Sequence, residues 1–234
     1  MFMQNLSGLE FTELFPSPLI KYLWPESDDL NKELSQLIRS KELEDRGVAI
    51  TNVGGWHSKK NFQDWDGECV RTIISRVLIL CQEMLRRTLA PANSELFSSW
   101  TVQAWANINR SGHYNNFHTH VNGLGKRVQN LNLWSGVYYV SMGREANNVD
   151  HASRIIFADQ NRIEPRGRKE FRKRFFIQPE PGLMLLFPSS LGHSVKPHRG
   201  TGDRITIAFD LRSNKFTTVK YEMERRLAAK MKPA

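Results

Sequence analysis

Apolar positions along the chain change their period once, near residue 100. Before it, "SDDLNKELSQLIRSKEL" sets Leu30, Leu34, Leu37 and Ile38 at helical spacing behind a Ser/Asp start, which predicts a helix over 28–43. "DWDGECVRTIISRVLILCQEMLRRTLAP" predicts a longer helix. Its set of Val70, Ile73, Ile74, Val77, Leu78, Cys81, Met84 and Leu85 follows the i, i+3, i+4 rule, and Pro91 cannot continue it. From Thr101 onward the pattern shifts to short runs rich in Val, Ile, Phe, Trp and Tyr: "TVQAWANIN", "WSGVYYVSM", "SRIIFAD", "FRKRFFIQP", "GLMLLFPS", "HSVKPH" and "RITIAFDLR". Seven such runs separated by turn residues predict an antiparallel sandwich or barrel with a helical layer packed on it. Pro and Gly in "PEPGL" supply the dihedrals of a tight turn between two of the runs, and a helix over 221–231 closes the chain.

At 234 residues the chain fits one domain with a substantial core. No stretch reads as a signal peptide or as an apolar run able to cross a bilayer, so a soluble, cytoplasmic protein is expected. Cys69 and Cys81 fall in the second helix, which favours two buried thiols over a disulfide or a metal site. The formal charge of +9 raises a nucleic-acid partner, because clustered Lys and Arg release counterions from phosphates. Much of that charge sits in "RIEPRGRKEFRKRF" (162–175) and in the tail at 220–234, and neither carries a nucleic-acid-binding signature. A solvated basic loop and tail is the better reading, with an acidic partner left open.

Candidate chemistry lies with the histidines. "NNFHTHVN" places His118 and His120 two apart, and "FPSSLGHSV" adds His193. On an extended segment, side chains two apart point to one side, so an H-x-H step can grip one ion, and a neighbouring strand can deliver a third ligand. Three protein ligands with open positions describe a catalytic metal site. An H-x-H pair alone arises often by chance; a second signal converges with it. Arg204 follows His193 by 11 residues and Thr206 stands two further on. Alternate strand positions aim a guanidinium fork and a hydroxyl into one cavity, a receptor for a carboxylate, while Ile205, Ile207 and Phe209 face the apolar side.

These elements together resemble the 2-oxoglutarate/Fe(II)-dependent dioxygenase superfamily, and within it an oxygenase group with a recurring set of segments. The chain carries "ELFPSPLIKYLWP" near its start, "TNVGGWHS" at 51–58, "NNFHTH", "SGVYYV" at 135–140, "PGLMLLFPSSLGHSV" at 181–195 and "DRITIAFD" at 203–210, in the group's order. The resemblance implies a double-stranded β-helix (a jelly roll, cupin-like in form) with N-terminal helices packed on it. It further implies one oxygenase domain over 1–234, divided into a mainly helical part at 1–100, a jelly-roll core at 101–212 and a C-terminal helix at 213–234. His118 and His193 become iron ligands, Arg204 with Thr206 becomes the anchor for the distal carboxylate of 2-oxoglutarate, and Tyr138 joins them in binding the co-substrate. Fe(II), 2-oxoglutarate and O2 are the implied cofactors, and hydroxylation of a C–H bond is the default outcome.

One departure matters. His120 stands where the superfamily has an Asp or Glu, and no H-x-D or H-x-E occurs in the chain. Three arrangements stay open: three histidines, which we prefer; His120 as first histidine with Asn122 in the acid position; or an acid from elsewhere, such as Asp150 or Asp159. A neutral ligand in place of a carboxylate leaves an iron with one more positive charge. The segment "GLGKRVQNLNLW" at 123–134 lengthens the link after the histidines, and its Lys126 and Arg127 would suit an anionic substrate. Trp105, Trp134, Tyr138 and Phe187 are candidates to line the cavity, although core packing accounts for most aromatics. Asn107, Asn109 and Asn115 either orient ligands or cap turns. His57 shows no metal role by spacing, Trp56 reads as an anchor for the helical layer, the twin glycines before it as a tight turn, and His113, His151 and His198 as exposed. Two other classes compete: a cupin-like metalloenzyme without 2-oxoglutarate, which lacks its usual glutamate here, and a basic binding protein without catalysis. The substrate, a nucleic-acid partner and a homodimer are left open.

Overall fold

The computed structural model describes residues 17–88, 100–121, 132–145, 152–158 and 174–213. The two predicted helices are present as α1 (Asp28–Glu44) and α2 (Glu68–Thr88), with a short 3-10 turn at Phe62–Asp64 between them. Asp28 and Asp29 in the first turn of α1 complement its dipole. In α2 the buried stripe runs through Cys69, Val70, Ile73, Val77, Leu80, Cys81, Met84 and Leu85; Ile74 and Leu78 are only partly covered. Both cysteines are buried free thiols, as expected, and burial pushes the Cys81 thiol up to about 12. Among the described residues no helix is long and apolar enough to cross a membrane.

Among the described residues eleven strands are present where seven were expected. In chain order they are β1 (Ile20–Leu23), β2 (Asn52–Val53), β3 (Trp56–His57), β4 (Trp100–Asn109), β5 (Tyr114–His118), β6 (Asn132–Glu145), β7 (Ile155–Ala158), β8 (Arg174–Ile177), β9 (Leu183–Pro188), β10 (His193–Val195) and β11 (Gly200–Ser213). β1 and β3 are edge strands of one sheet and β2 an edge strand of the other, each with four residues or fewer, too short to show an alternation in sequence. The N-terminal part therefore contributes strands to both sheets besides its helices. The six-stranded sheet runs β1-β9-β6-β11-β4-β3 and the five-stranded sheet β2-β5-β10-β7-β8, all pairs antiparallel. This two-sheet arrangement is the expected jelly roll. The helix over 221–231, the tail at 220–234 and most of the segments at 162–175 and 123–134 lie outside the described residues.

The six-stranded sheet has two unlike faces. Its outer face packs on the helices: Ala104, Ala106, Ile108, Tyr138, Val140, Met184, Leu186, Ile205, Ile207, Phe209 and Leu211 share one core with Leu34, Ile38, Ile73, Val77, Cys81 and Met84. Trp56 belongs to this core and its indole N–H donates to Asp45 O (2.7 Å), the anchoring role expected of it. The inner face, with Tyr139, Leu183, Leu185 and Phe187, meets Ile155, Phe157 and Ile177 of the second sheet. β9 is buried on both faces, which is why it reads as the continuous apolar run "LMLLFP".

Two backbone features hold this geometry. Gly54 and Gly55, both at φ near +70°, make the turn between β2 and β3, the tight turn read from the twin glycines. Gly136 permits close strand packing, since a Cβ there would collide with Leu185 O and the Phe209 ring. A register shift between β6 and β11, opposite Ile205 and Thr206, resets the alternation of β6. Tyr139 and Met142 consequently face inward together although they stand three positions apart.

Candidate active site

The three histidines meet at the inner face of the jelly roll. His118 ends β5, His120 lies just beyond it with its backbone N–H bonded to Ser189 O (2.9 Å), and His193 opens β10, directly paired with His118. One ring nitrogen from each lies within 4.8 Å of the other two. The rings of His118 and His193 are 4.4 Å apart between centroids, and Phe187 packs edge-on to His193 at 4.9 Å.

Each imidazole is held by its Nδ1. His118 donates to Asn116 O (2.7 Å), His193 to Leu191 O (2.9 Å) and His120 to the Asp210 carboxylate (2.6 Å). Those acceptors cannot donate, so every Nδ1 carries a proton, and in His118 and His193, which burial keeps neutral, Nε2 presents a lone pair. His118 Nε2 and His120 Nε2 stand 3.2 Å apart. Two acceptors at that distance repel unless a proton or a cation lies between them, and three anchored imidazoles facing one point are what a metal site requires. Burial lowers the pKa of His193 to about 3 and depresses that of His118, which keeps both rings neutral and able to ligate. The residues present fit a metal ion held by three histidines.

Asp210 is the acid that sequence reasoning missed. It is fully buried, accepts from His120 and from the Ser135 hydroxyl (2.8 Å), and pairs through its second oxygen with Lys60 Nζ (3.2 Å). Burial pushes its carboxyl up, but the His120 hydrogen bond, together with the Lys60 charge and Ser135, outweighs this and holds it below the usual value. Its oxygen occupies the far side of His120, so it supports a ligand and does not complete the cluster. A signal existed: Arg204, Thr206, Ala208 and Asp210 are alternate residues of one strand. Asp150, Asp159 and Asn122, the other acids and amide considered, lie outside the described residues, as does His151.

A cavity of about 230 Å³ extends from the histidines to Arg204 and Thr206. Arg204 is 3% exposed, its guanidinium 5.4 Å above the Tyr139 ring, and Thr206 Oγ1 accepts from Asn107 Nδ2 (3.4 Å). Tyr139 pairs with Thr206 across the strands, and its buried hydroxyl finds no hydrogen-bond partner of good geometry among the described residues. Burial pushes that phenol up to about 12, so it remains a donor. A buried guanidinium flanked by two hydroxyls fits the carboxylate of a small diacid.

Several expectations need correction. Tyr138 does not reach the cavity: its hydroxyl donates to Asn31 Oδ1 (2.8 Å) under the helices, because it faces the opposite side from its neighbour Tyr139. Trp134 likewise packs toward the helical core, whereas Trp105 and Phe187 line the cavity. Asn107 and Asn115 line it too, while Asn109 sits beside Gly55. His198 is buried rather than exposed, with Nδ1 2.9 Å from Ser153 Oγ, and His113 is half-buried beneath Gly54. His57 is not a member of the cluster; it stacks on Trp105 at 5.6 Å, and Trp105 stacks in turn on His120 at 5.7 Å.

A jelly roll with three histidines and a buried arginine on one inner face has counterparts among known proteins. Residues 103–210, from β4 to β11, match the family model described as "Putative 2OG-Fe(II) oxygenase". The resemblance read from the sequence therefore holds over the core, which is similar to the 2-oxoglutarate/Fe(II) oxygenases, a family whose cofactors are Fe(II) and 2-oxoglutarate. No curated protein matches the chain. Among solved structures, a Pseudomonas putida prolyl-4-hydroxylase is similar at 15% identity and TM-score 0.56, covering 83% of this chain and 92% of its own. HygX from Streptomyces hygroscopicus, with nickel and 2-oxoglutarate bound, matches at 12% identity and TM-score 0.52 over 84% of this chain and 83% of its own. The α-ketoglutarate-dependent epimerase SnoN from nogalamycin biosynthesis matches at 9% identity and TM-score 0.58 over 84% and 77%. Identities this low carry the shared fold.

Proposed function

We propose that this chain is an Fe(II)- and 2-oxoglutarate-dependent hydroxylase whose iron is held by His118, His120 and His193. One observation carries the reading: three imidazoles converge, each fixed by its own Nδ1 bond, in the cavity that also holds Arg204, Thr206 and Tyr139. When bound, Fe(II) with 2-oxoglutarate supplies the means to activate dioxygen for oxidation of a C–H bond.

The chain's own groups do the positioning. Arg204 binds the distal carboxylate of the co-substrate, with Thr206 and Tyr139 donating from either side. Trp105, held between His57 and His120, and Phe187 beside His193 shield the ligands from water. Lys60, its ammonium 4.0 Å above the Trp105 ring, places a positive charge at the cavity wall and would suit an anionic substrate. Half-exposed Ile50 and Val121 supply an apolar lip. Hydroxylation is favoured over other oxidative outcomes because the solved relatives include a prolyl-4-hydroxylase, although an epimerase shares the same frame.

Anaerobic titration with Fe(II) and 2-oxoglutarate tests this, read by the visible metal-to-ligand charge-transfer band of the chelate. The band should form in the native protein, vanish in His193→Ala and require far more 2-oxoglutarate in Arg204→Ala. Iron binding without the band would favour a cupin-like metalloenzyme, and absence of iron binding a scaffold without catalysis.

A further inference from the structure

Among the described residues the ligand set has no carboxylate, yet a buried carboxylate stands one hydrogen bond behind it. We infer that Asp210 is a positioning residue that supplies the site's missing negative charge through His120. The inference rests on reading the three histidines as a metal site.

The geometry is directional. Asp210 Oδ1 accepts from His120 Nδ1 at 2.6 Å, the shortest of the three Nδ1 contacts and the only one made to an ion; His118 and His193 are held by neutral carbonyls. A charge-assisted bond of that length pulls the Nδ1 proton toward oxygen and raises electron density at Nε2, which makes His120 the strongest donor of the three. The neighbours of Asp210 tune that pull. Ser135 donates to the same oxygen that accepts from His120, and is itself within 2.7 Å of Ser189 Oγ. Lys60 holds the other oxygen and draws charge away from His120. Lys60 is only about one-third exposed, while Asp210 is fully buried, so the balance is set inside the protein and not by solvent.

This also accounts for the placement of Asp210. An ionised carboxylate in the core is costly unless it is paired and hydrogen-bonded. Asp210 sits at the end of the Arg204, Thr206, Ala208 series on β11, opposite Gln103 and Ser135, where the helix-side alternatives Phe209 and Leu211 could not reach His120.

Co(II) alone, titrated into the metal-free full chain, separates the possibilities by affinity and by its d–d spectrum, with no co-substrate needed. In Asp210→Asn, which keeps the shape and can still accept from His120, Co(II) should bind about 10–100-fold more weakly, with the bands of the bound ion moved to lower energy. In Lys60→Met the bands should move to higher energy, and that shift should disappear when Asp210→Asn is added, because the effect runs through Asp210. A role confined to stability would lower the melting temperature of Asp210→Asn and leave the bands of bound Co(II) where they were. If Asp210→Asn does not fold, Lys60→Met carries the test, and an unmoved spectrum there overturns the inference. Failure of the native protein to bind Co(II), or binding unchanged in His118→Ala and His193→Ala, would instead sink the metal-site reading on which it rests.

Discussion

The two faces of β11 are made by neighbouring residues of one strand and differ in everything else. Ile205, Ile207, Phe209 and Leu211 point outward into the core shared with α2, all fully buried. Arg204, Thr206, Ala208 and Asp210 point inward and line the cavity with the histidines. The outer face gains free energy by burying apolar area and needs no partner chemistry. The inner face buries an Arg and an Asp, which cost stability unless each charge is met. Stability and chemistry are thus divided by side-chain parity: the first face can be varied by volume, the second only by charge and hydrogen bonding.

Acid should separate the faces most sharply. His193 is neutral in the folded metal-free protein because burial holds its pKa at about 3, against an ordinary 6.5. The unfolded chain binds that proton first, so stability falls as pH drops from about 6.5 toward 3, by on the order of 5 kcal/mol from His193 alone. His118 is shifted the same way, and Asp210, also depressed, loses its contribution as pH falls through its folded pKa. Equilibrium unfolding of metal-free protein between pH 7 and 4 checks this, and a flat profile would remove the cost assigned to the inner face; added Co(II) should steepen the profile.

Next in size, Phe209→Ala should cost about 3–5 kcal/mol of stability through the cavity it leaves, with metal affinity in the folded fraction unchanged. Its inner-face counterpart, Arg204→Met, should leave the urea midpoint nearly unmoved and weaken 2-oxoglutarate binding by about 2–5 kcal/mol, measured by calorimetry in the presence of Co(II). If Phe209→Ala disturbed the metal site as strongly as the fold, the division between faces would break down. Gly136→Ala should cost about 1–3 kcal/mol, because the added Cβ meets the Leu185 carbonyl and the Phe209 ring.

The finest comparison is between adjacent tyrosines. Tyr138→Phe removes a buried bond to Asn31 and should lower stability by about 1 kcal/mol without touching co-substrate affinity. Tyr139→Phe should leave stability level and weaken 2-oxoglutarate by about the same amount. Identical behaviour of the two would deny that they face opposite sides of β6.

Legibility followed the range of the forces involved. Both long helices, the buried thiols and the inward aim of Arg204 and Thr206 are consequences of period and burial within one segment, and they stood in the sequence. The H-x-H step with His193 pointed to a shared site, and the three rings do converge. The assignment of Tyr138 failed because alternation puts the two adjacent tyrosines on opposite faces without saying which is inward; pairing with β11, Tyr139 beside Thr206 and Tyr138 beside Ile207, decides that. His198 read as exposed because its partner, Ser153, is 45 residues away.

What the sequence alone determined is therefore the helical layer, the strand-rich core and the identity of the chemical groups, since each depends on neighbours a few positions apart. Tertiary structure decided which groups meet. His120 and Asp210 are 90 residues apart, and Lys60 and Asp210 are 150. Only sheet pairing, which joins β5 to β10 and sets β11 between β4 and β6, brings an acid with no motif of its own to the back of a histidine. Register is a collective property of many weak cross-strand contacts, and a one-residue change in it moves every side chain to the other face.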